Sequence, residues 1–252
     1  MISKVEDKIL ISLDLEMFDQ ITGFSSNFHP QDVFIFKKAM LNFFNMLDKY
    51  NVKIVIFAVG EIIEKFPWIV ERALSSGHFI GWHSQNHADF SKNKLKEVFF
   101  DIEHFLNEYP NFSLIYRPPG FRLPCSDEYF SRTLFERYKV TSFSSSFISQ
   151  KKYFINVPKI KFFNKSLRFG GTLFRLLPIQ FLIALFPQKF RIIYLHPRDL
   201  IGFYWQKNGS FKEKVIHFLS FGSGISKIET LIKMDYVTSA KIFEPNEGFL
   251  CE

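Results

Sequence analysis

The chain has 252 residues, 47% of them apolar, which is enough for one sizeable core and falls within the range of a single α/β barrel. Its net charge of +7 comes without any Arg/Lys block interleaved with aromatics, so it reads as a basic but ordinary surface with no nucleic-acid partner. Two cysteines, Cys125 and Cys251, exclude a disulfide-stapled scaffold, and no apolar run is long enough to span a bilayer.

Residues 8–16 read as a buried strand whose end turns acidic at Asp14 and Glu16. Phe36, Met40, Phe43, Phe44 and Leu47 recur at helical spacing and predict a helix over 34–50. A second buried strand follows at 52–57, then one helix over 61–76 capped by Gly77. A short strand at 78–82 delivers Gly81-Trp82-His83-Ser84-Gln85-Asn86-His87. An amphipathic helix over 94–109 and a segment at 114–116 lead into Arg117-Pro118-Pro119-Gly120-Phe121-Arg122. Residues 127–138 read as helix and 140–143 as strand. This alternation points to parallel βαβ units, in which functional residues sit at the C-terminal ends of strands. Asp14, Glu16, His83, His87 and Arg117 all occupy such ends.

Between 149 and 189 no clean βα unit is visible. The apolar stretch 176–186, with Lys165, Arg168, Arg175, Lys189 and Arg191 around it, is read first as a buried helix closing a barrel. The other reading is a peripheral membrane contact through residues 175–191. A strand at 191–195 then ends in His196-Pro197-Arg198-Asp199, followed by helices at 211–219 and 226–234 and a short segment near 236–239. No repeat or linker interrupts the chain, so 1–252 is read as one domain. The first eight residues are polar and lack a signal-peptide core, so the expected location is the cytoplasm, at the inner face of the membrane if that contact is used.

His83 and His87, four residues apart, place both imidazoles on one side of a helical turn or tight loop. A neutral imidazole is the commonest metal ligand, but an H-x-x-x-H alone is a weak signal, and Ser84 rather than a glutamate follows His83. Asp14 and Glu16, two apart on a strand end, share a face. One carboxylate can complete a two-His, one-carboxylate site with an open position, while the other stays free as a base. Arg117 is a partner for the free carboxylate, keeping it ionised through paired hydrogen bonds. Because Pro118 and Pro119 lack an N–H, Gly120 is the first residue of that loop able to donate one to an oxyanion. His196 is placed to protonate a leaving amine. His29, His78, His104 and His217 have no such placement. A mononuclear iron oxygenase uses the same ligand types, but its scaffold does not fit the βα alternation.

The ordered set L-D-L-E, H-S-Q-N-H, R-P-P-G-F and L-H-P resembles the polysaccharide deacetylase superfamily, with its NodB homology domain (carbohydrate esterase family 4-like), over residues 8–200. Gly170 to Pro178 also resembles a G-G-x-x-F-R-L-L-P signature of a subgroup found beside exopolysaccharide and surface-glycan genes; on that reading the Arg175 region shapes the substrate cleft. The resemblance implies a distorted (β/α) barrel, seven-stranded and NodB-like, with one divalent metal ion: Zn2+ first, Co, Ni or Fe as alternatives. It implies metal-dependent removal of an N-acyl group, acetyl or formyl, from a sugar in surface-polysaccharide biosynthesis. Carried over, Asp14 is the base, Glu16, His83 and His87 the metal ligands, Arg117 the orienter of Asp14, Gly120 the oxyanion donor and His196 the acid.

Three departures stand beside this likeness. The family's adjacent aspartates are D-x-E here, which leaves Glu16 as the ligand ahead of Asp14. The aspartate that tunes the acid histidine belongs near residues 143–146, where this chain has Phe143-Ser144-Ser145-Ser146, so support for His196 would come from elsewhere, with Asp199 a candidate. No export signal is visible, which favours a nucleotide- or lipid-linked sugar as substrate over a finished wall polymer. The alternative function is a catalytically weakened barrel that binds a glycan or a membrane partner.

Overall fold

A computed structural model describes residues 8–17, 30–92, 94–113, 115–123, 125, 127–138, 142–143, 159–162, 165–168, 170–185, 191–201, 211, 215 and 224–240. Ser144–Ser146, residues 186–190, Cys251 and nearly all of the helix expected over 211–219 lie outside them.

The frame is a parallel sheet. Strand β1 (Ile9–Leu15) is followed by α1 (Pro30–Lys49), β2 (Val55–Ala58), α2 (Gly60–Lys65), α3 (Pro67–Ser75), β3 (Phe79–Trp82), α4 (Leu95–Glu108), β4 (Ile115–Tyr116), α5 (Asp127–Tyr138) and β5 (Ser142–Phe143). A hairpin of β6 (Lys159–Phe162) and β7 (Lys165–Arg168) precedes α6 (Gly171–Leu176), α7 (Ile179–Leu185), β8 (Arg191–Leu195), α8 (Gly224–Lys233) and β9 (Val237–Thr238). The sheet order is β5-β4-β3-β2-β1-β8, and every pairing is parallel. β9 joins the start of β1, pairing Ile9 with Val237 along the edge that β2 takes further up. Gly170 bridges to Tyr194 on the far side of β8. This is the seven-stranded α/β arrangement expected; among the described residues its outer edges are not joined by hydrogen bonds.

Both faces of β1 are buried, as parallel strands covered by crossover helices require. Alternation along each strand then decides what each face carries. Ile9, Ile11, Leu13 and Leu15 pack in the large core with the helices, together with Ile54, Ile56, Ala58, Ile80, Trp82, Tyr116, Ile193 and Leu195. The opposite face holds a smaller apolar cluster around Leu10, Val55, Phe57, Ile115 and Ile192, with Phe79 and Tyr194 against it. One step further toward the strand ends, this inner face becomes polar: Ser12 and Asp14 on β1, His83 after β3, Arg117 after β4, His196 after β8. The inner face therefore has an apolar floor and a titratable rim.

The helix face predicted for 34–50 is the buried one: Phe36, Met40, Phe43, Phe44 and Leu47 are all inaccessible. The single helix expected over 61–76 is instead two, broken at Phe66, whose φ is −135° and ψ 57°. Pro67 is the cause: a residue before proline is pushed out of the helical region, and proline itself suits the first turn of the next helix. α7 buries Leu182, half-buries Ile179 and Ile183, and leaves Phe181 exposed. It lies against the main core, in line with the closing-helix reading. Among the described residues no helix is long and apolar enough to cross a membrane.

Candidate active site

Asp14 and Glu16 lie at the mouth of β1, with the Glu16 N–H donating to the Asp14 carbonyl at 3.0 Å, and both are buried. Glu16, His83 and His87 form a cluster whose ligand atoms all lie within 4.8 Å of one another. His87 Nε2 is 2.6 Å from Glu16 Oε2, and the two imidazoles meet edge to face at 5.2 Å. His83 Nδ1 faces the Arg117 carbonyl at 2.7 Å. A carbonyl only accepts, so the proton sits on Nδ1 and the Nε2 lone pair is left for a cation. Burial, with His87 beside it, holds His83 well below its ordinary value, hence neutral and competent as a ligand. Burial pushes the Glu16 carboxyl up, but His196, His87 and His83 outweigh burial and keep it below the ordinary range.

The loop carrying the histidines is not helical. Ser84 and His87 have φ of 67° and 55°, an unusual conformation for residues other than glycine that persists only where the surroundings enforce it. Here the Gly60 and Glu61 N–H groups donate to the Ser84 and Gln85 carbonyls at 3.0 and 2.9 Å, and Ala88 N–H donates to Ser84 Oγ at 3.3 Å. From α4, Asp101 accepts from the Gln85 N–H at 2.7 Å and from Trp82 Nε1 at 2.6 Å. Burial pushes the Asp101 carboxyl up to about 6.

Arg117 is inaccessible and pairs through Nη1 with Asp14 Oδ1, while Nη2 donates to Ser12 Oγ at 3.0 Å. Ser12 passes its own proton to the Ile193 carbonyl of β8 at 3.1 Å. The guanidinium stacks 3.9 Å over Phe57 and 5.2 Å from Phe121. The guanidinium thus divides its donors, Nη1 to Asp14 and Nη2 to Ser12, where the sequence suggested a paired contact with the carboxylate. Ser12 and Phe57 were not legible as site residues, since each sits inside an apolar run.

His196 closes the site from β8. Its Nε2 is 3.4 Å from Glu16 Oε1, and its Nδ1 is 2.9 Å from Asp199 Oδ2, which also accepts the His196 backbone N–H at 2.8 Å. The other Asp199 oxygen lies 2.9 Å from Arg175 Nε. Asp199 and Arg175 are both buried. Arg175 therefore stands behind the histidine, not on a substrate cleft as the sequence suggested, because α6 packs its Phe174–Arg175 side inward. The structure brings together Asp14, Glu16, His83, His87, Arg117 and His196. Gly120 is not in this network: it occupies an exposed turn with φ 58°, where Phe121 and Arg122 donate back to the Pro118 and Pro119 carbonyls.

Residues 28–139 match the polysaccharide deacetylase family, and that span holds His83, His87 and Arg117. Over that span, a little under half of its length, the chain is similar to the polysaccharide deacetylase family. Among curated relatives it is similar to peptidoglycan-N-acetylglucosamine deacetylases of Bacillus cereus, one 30% identical over 79 residues (30% of this chain, 37% of the relative). Another is 35% identical over 77 residues (29% and 28%). The peptidoglycan-N-acetylglucosamine deacetylase PgdA of Listeria monocytogenes is 36% identical over 56 residues (22% and 12%). The chain thus spans well under half the length of the curated relatives it matches. Among solved structures, a family 4 carbohydrate esterase from Streptomyces lividans superposes with a TM-score of 0.54 at 12% identity, over 96% of both chains. A family 4 pseudoenzyme from Bacillus anthracis gives 0.52 at 11%, over 92% of this chain and 62% of the other. The fold is the family 4 fold. Since a pseudoenzyme shares it, fold likeness alone carries no activity.

Proposed function

We propose that this protein is a metal-dependent carbohydrate N-deacetylase that removes an acetyl or formyl group from an N-acylated sugar in surface-polysaccharide biosynthesis. The observation that carries the reading is the grouping, at one end of the sheet, of a two-His, one-carboxylate cluster with an Arg-held carboxylate and a carboxylate-backed histidine. The donor set fits one divalent ion, zinc first: two imidazoles, one of them in a fixed tautomer, and one carboxylate, which leaves coordination positions open. Bound there by Glu16, His83 and His87, the ion would supply Lewis-acid polarisation of the acyl carbonyl.

The remaining chemistry belongs to the chain. Asp14, fixed through Oδ1 by Arg117, takes a proton from the attacking water at its other oxygen. Gly120 is kept as the oxyanion donor on the family resemblance, although its exposed turn lies outside the network above. His196 gives a proton to the leaving nitrogen as the C–N bond breaks. The binding-module alternative rests on the missing aspartate near 143–146, and Asp199 beside His196 supports the catalytic reading over it. The substrate form proposed is a nucleotide- or lipid-linked sugar.

The test is elemental analysis of purified protein together with release of acetate or formate from N-acyl hexosamines, for the parent and Asp14→Asn. One ion per chain, hydrolysis in the parent and its loss in the variant with metal retained would bear the reading out. A metal-free, inactive parent after reconstitution with zinc or cobalt would sink it.

A further inference from the structure

We propose that Asp199 and Arg175 form a buried positioning pair that fixes His196 as an Nδ1–H imidazole with Nε2 turned to the reacting centre. The pair would take the place of the aspartate that the family likeness puts near residues 143–146. The inference rests on the deacetylase reading for its chemistry, but its geometry stands independently.

Four observations support it. First, one Asp199 oxygen accepts both the backbone N–H and the ring Nδ1–H of His196, at 2.8 and 2.9 Å, so the imidazole is gripped at two points. Nε2 then points away, to within 3.4 Å of Glu16. Second, among the described residues the other Asp199 oxygen faces two cations, Arg175 Nε at 2.9 Å and Arg198 Nε at 3.8 Å. His196 presents two protons to one Asp199 oxygen, while the arginines face the other as charges without hydrogen-bond alignment, so the site calls for an anionic acceptor with nothing to donate. Burial would push the Asp199 carboxyl up, but His196, Arg175 and Arg198 outweigh burial and hold it far below the ordinary range. Third, Lys227 from α8 donates to the carbonyls of Phe174, Arg175 and Leu177, capping the short helix that carries Arg175.

Fourth, the glycines before Arg175 are shaped by the same device. A Cβ on Gly170 would lie 2.2 Å from the Tyr194 carbonyl oxygen, so only glycine lets this segment run against β8. Gly171 has φ +48°, and a Cβ there would sit 3.4 Å from His196 Cε1 and 3.6 Å from Asp199 Oδ2. The G-G-x-x-F-R stretch thus lays α6 along the edge of the imidazole, anchors it through inaccessible Phe174, and delivers Arg175 to Asp199.

In the reaction His196 starts as the imidazolium, with protons on both nitrogens; the C–N electron pair departs with the leaving nitrogen as that nitrogen takes the proton from Nε2. His196 is left neutral, still donating Nδ1–H to Asp199. A leaving group that departs as a stable anion needs no such proton. This difference separates positioning from mere structural support.

The experiment uses zinc-loaded protein: the parent, Asp199→Asn and Arg175→Met. With an N-acetylhexosamine oligomer, Asp199→Asn is expected to lower kcat by ~10²- to 10³-fold with KM little changed. Hydrolysis of 4-nitrophenyl acetate, whose leaving group is a weak base, is expected to fall by under ~5-fold. Arg175→Met, which keeps Asp199 in place, should show the same selectivity at ~10-fold, and it serves if Asp199→Asn fails to fold. Equal losses on amide and ester in both variants would overturn the inference. Nitrogen-15 imidazole spectra give a readout free of turnover: the parent should show His196 protonated at Nδ1, and Asp199→Asn a shift toward Nε2–H. An unchanged His196 signal in Asp199→Asn would likewise overturn it. If the parent hydrolyses no N-acyl sugar, the deacetylase reading fails, and the spectra still decide the positioning pair.

Discussion

Acid should loosen this protein through one histidine outside the site. His78 opens the segment into β3, is 3% exposed, stacks on Phe44 at 5.6 Å, and accepts the Ile54 N–H at Nδ1 over 3.3 Å. Protonation would set a second N–H against that donor. Burial, reinforced by Lys53, pushes its pKa down from 6.5 to about 4. A pKa depressed in the folded state means that the unfolded chain binds the proton more readily, so stability is intact above 6.5 and drains away as pH falls toward 4. At about 1.36 kcal/mol per unit, the full loss is roughly 3 kcal/mol below pH 4, of which about 2 kcal/mol is reached at pH 5. Urea unfolding at pH 7.5 and pH 5, for the parent and His78→Asn, isolates this contribution because other titrating groups are common to both proteins. The asparagine keeps an acceptor for Ile54 but cannot titrate. The parent should lose about 2 kcal/mol more than the variant between the two pH values. A parent–variant difference that is the same at both would refute the reasoning. Because β3 carries His83 and His87, metal retention should fall over the same pH interval more steeply in the parent.

Three further outcomes follow from the site. His83→Ala and His87→Ala should each abolish stoichiometric metal by elemental analysis while melting cooperatively, since each removes one of three ligands. Gly171→Ala, at φ +48° and against His196, should cost about 1–2 kcal/mol in denaturant melts and lower kcat, whereas an alanine at an exposed α1 position such as Asn42 should do neither. Asp101→Ala strips the acceptor from Trp82 Nε1 and the Gln85 N–H, so metal affinity should weaken by ~10- to 100-fold with the ligands themselves intact, read by competition with a chelating dye.

Much of the site was legible because its polar residues interrupt apolar strands at their ends, where Asp14, His83, Arg117 and His196 stand out one by one. Their convergence was not legible from any single strand: both faces of β1 are buried, so its run of apolar residues hides which face looks inward, and only the polar alternates Ser12 and Asp14 betray it. Helix bounds followed apolar spacing at 127–138 and strand bounds at 191–195, but the break at Phe66–Pro67 needed the proline to be weighed above the apolar pattern. The β6–β7 hairpin was missed: Lys159-Ile160-Lys161-Phe162 does alternate, but over four residues only, and Lys165-Ser166-Leu167-Arg168 does not repeat the pattern. Asp199 could be suspected from its spacing to His196; Arg175 could not, because its partner lies on a different element and no periodicity links the two.

Strand β1 draws its neighbours from remote parts of the chain: β2 and β9 along one edge, β8 along the other. During synthesis, therefore, Glu16, His83 and His87 all leave the ribosome while β8 has yet to be made. At 5–20 residues per second the interval is on the order of ten seconds. Through that interval β1 lacks its β8 neighbour, while the nascent chain already holds the three candidate ligands. In order of synthesis, the three proposed ligands therefore precede the proposed acid and its carboxylate partner.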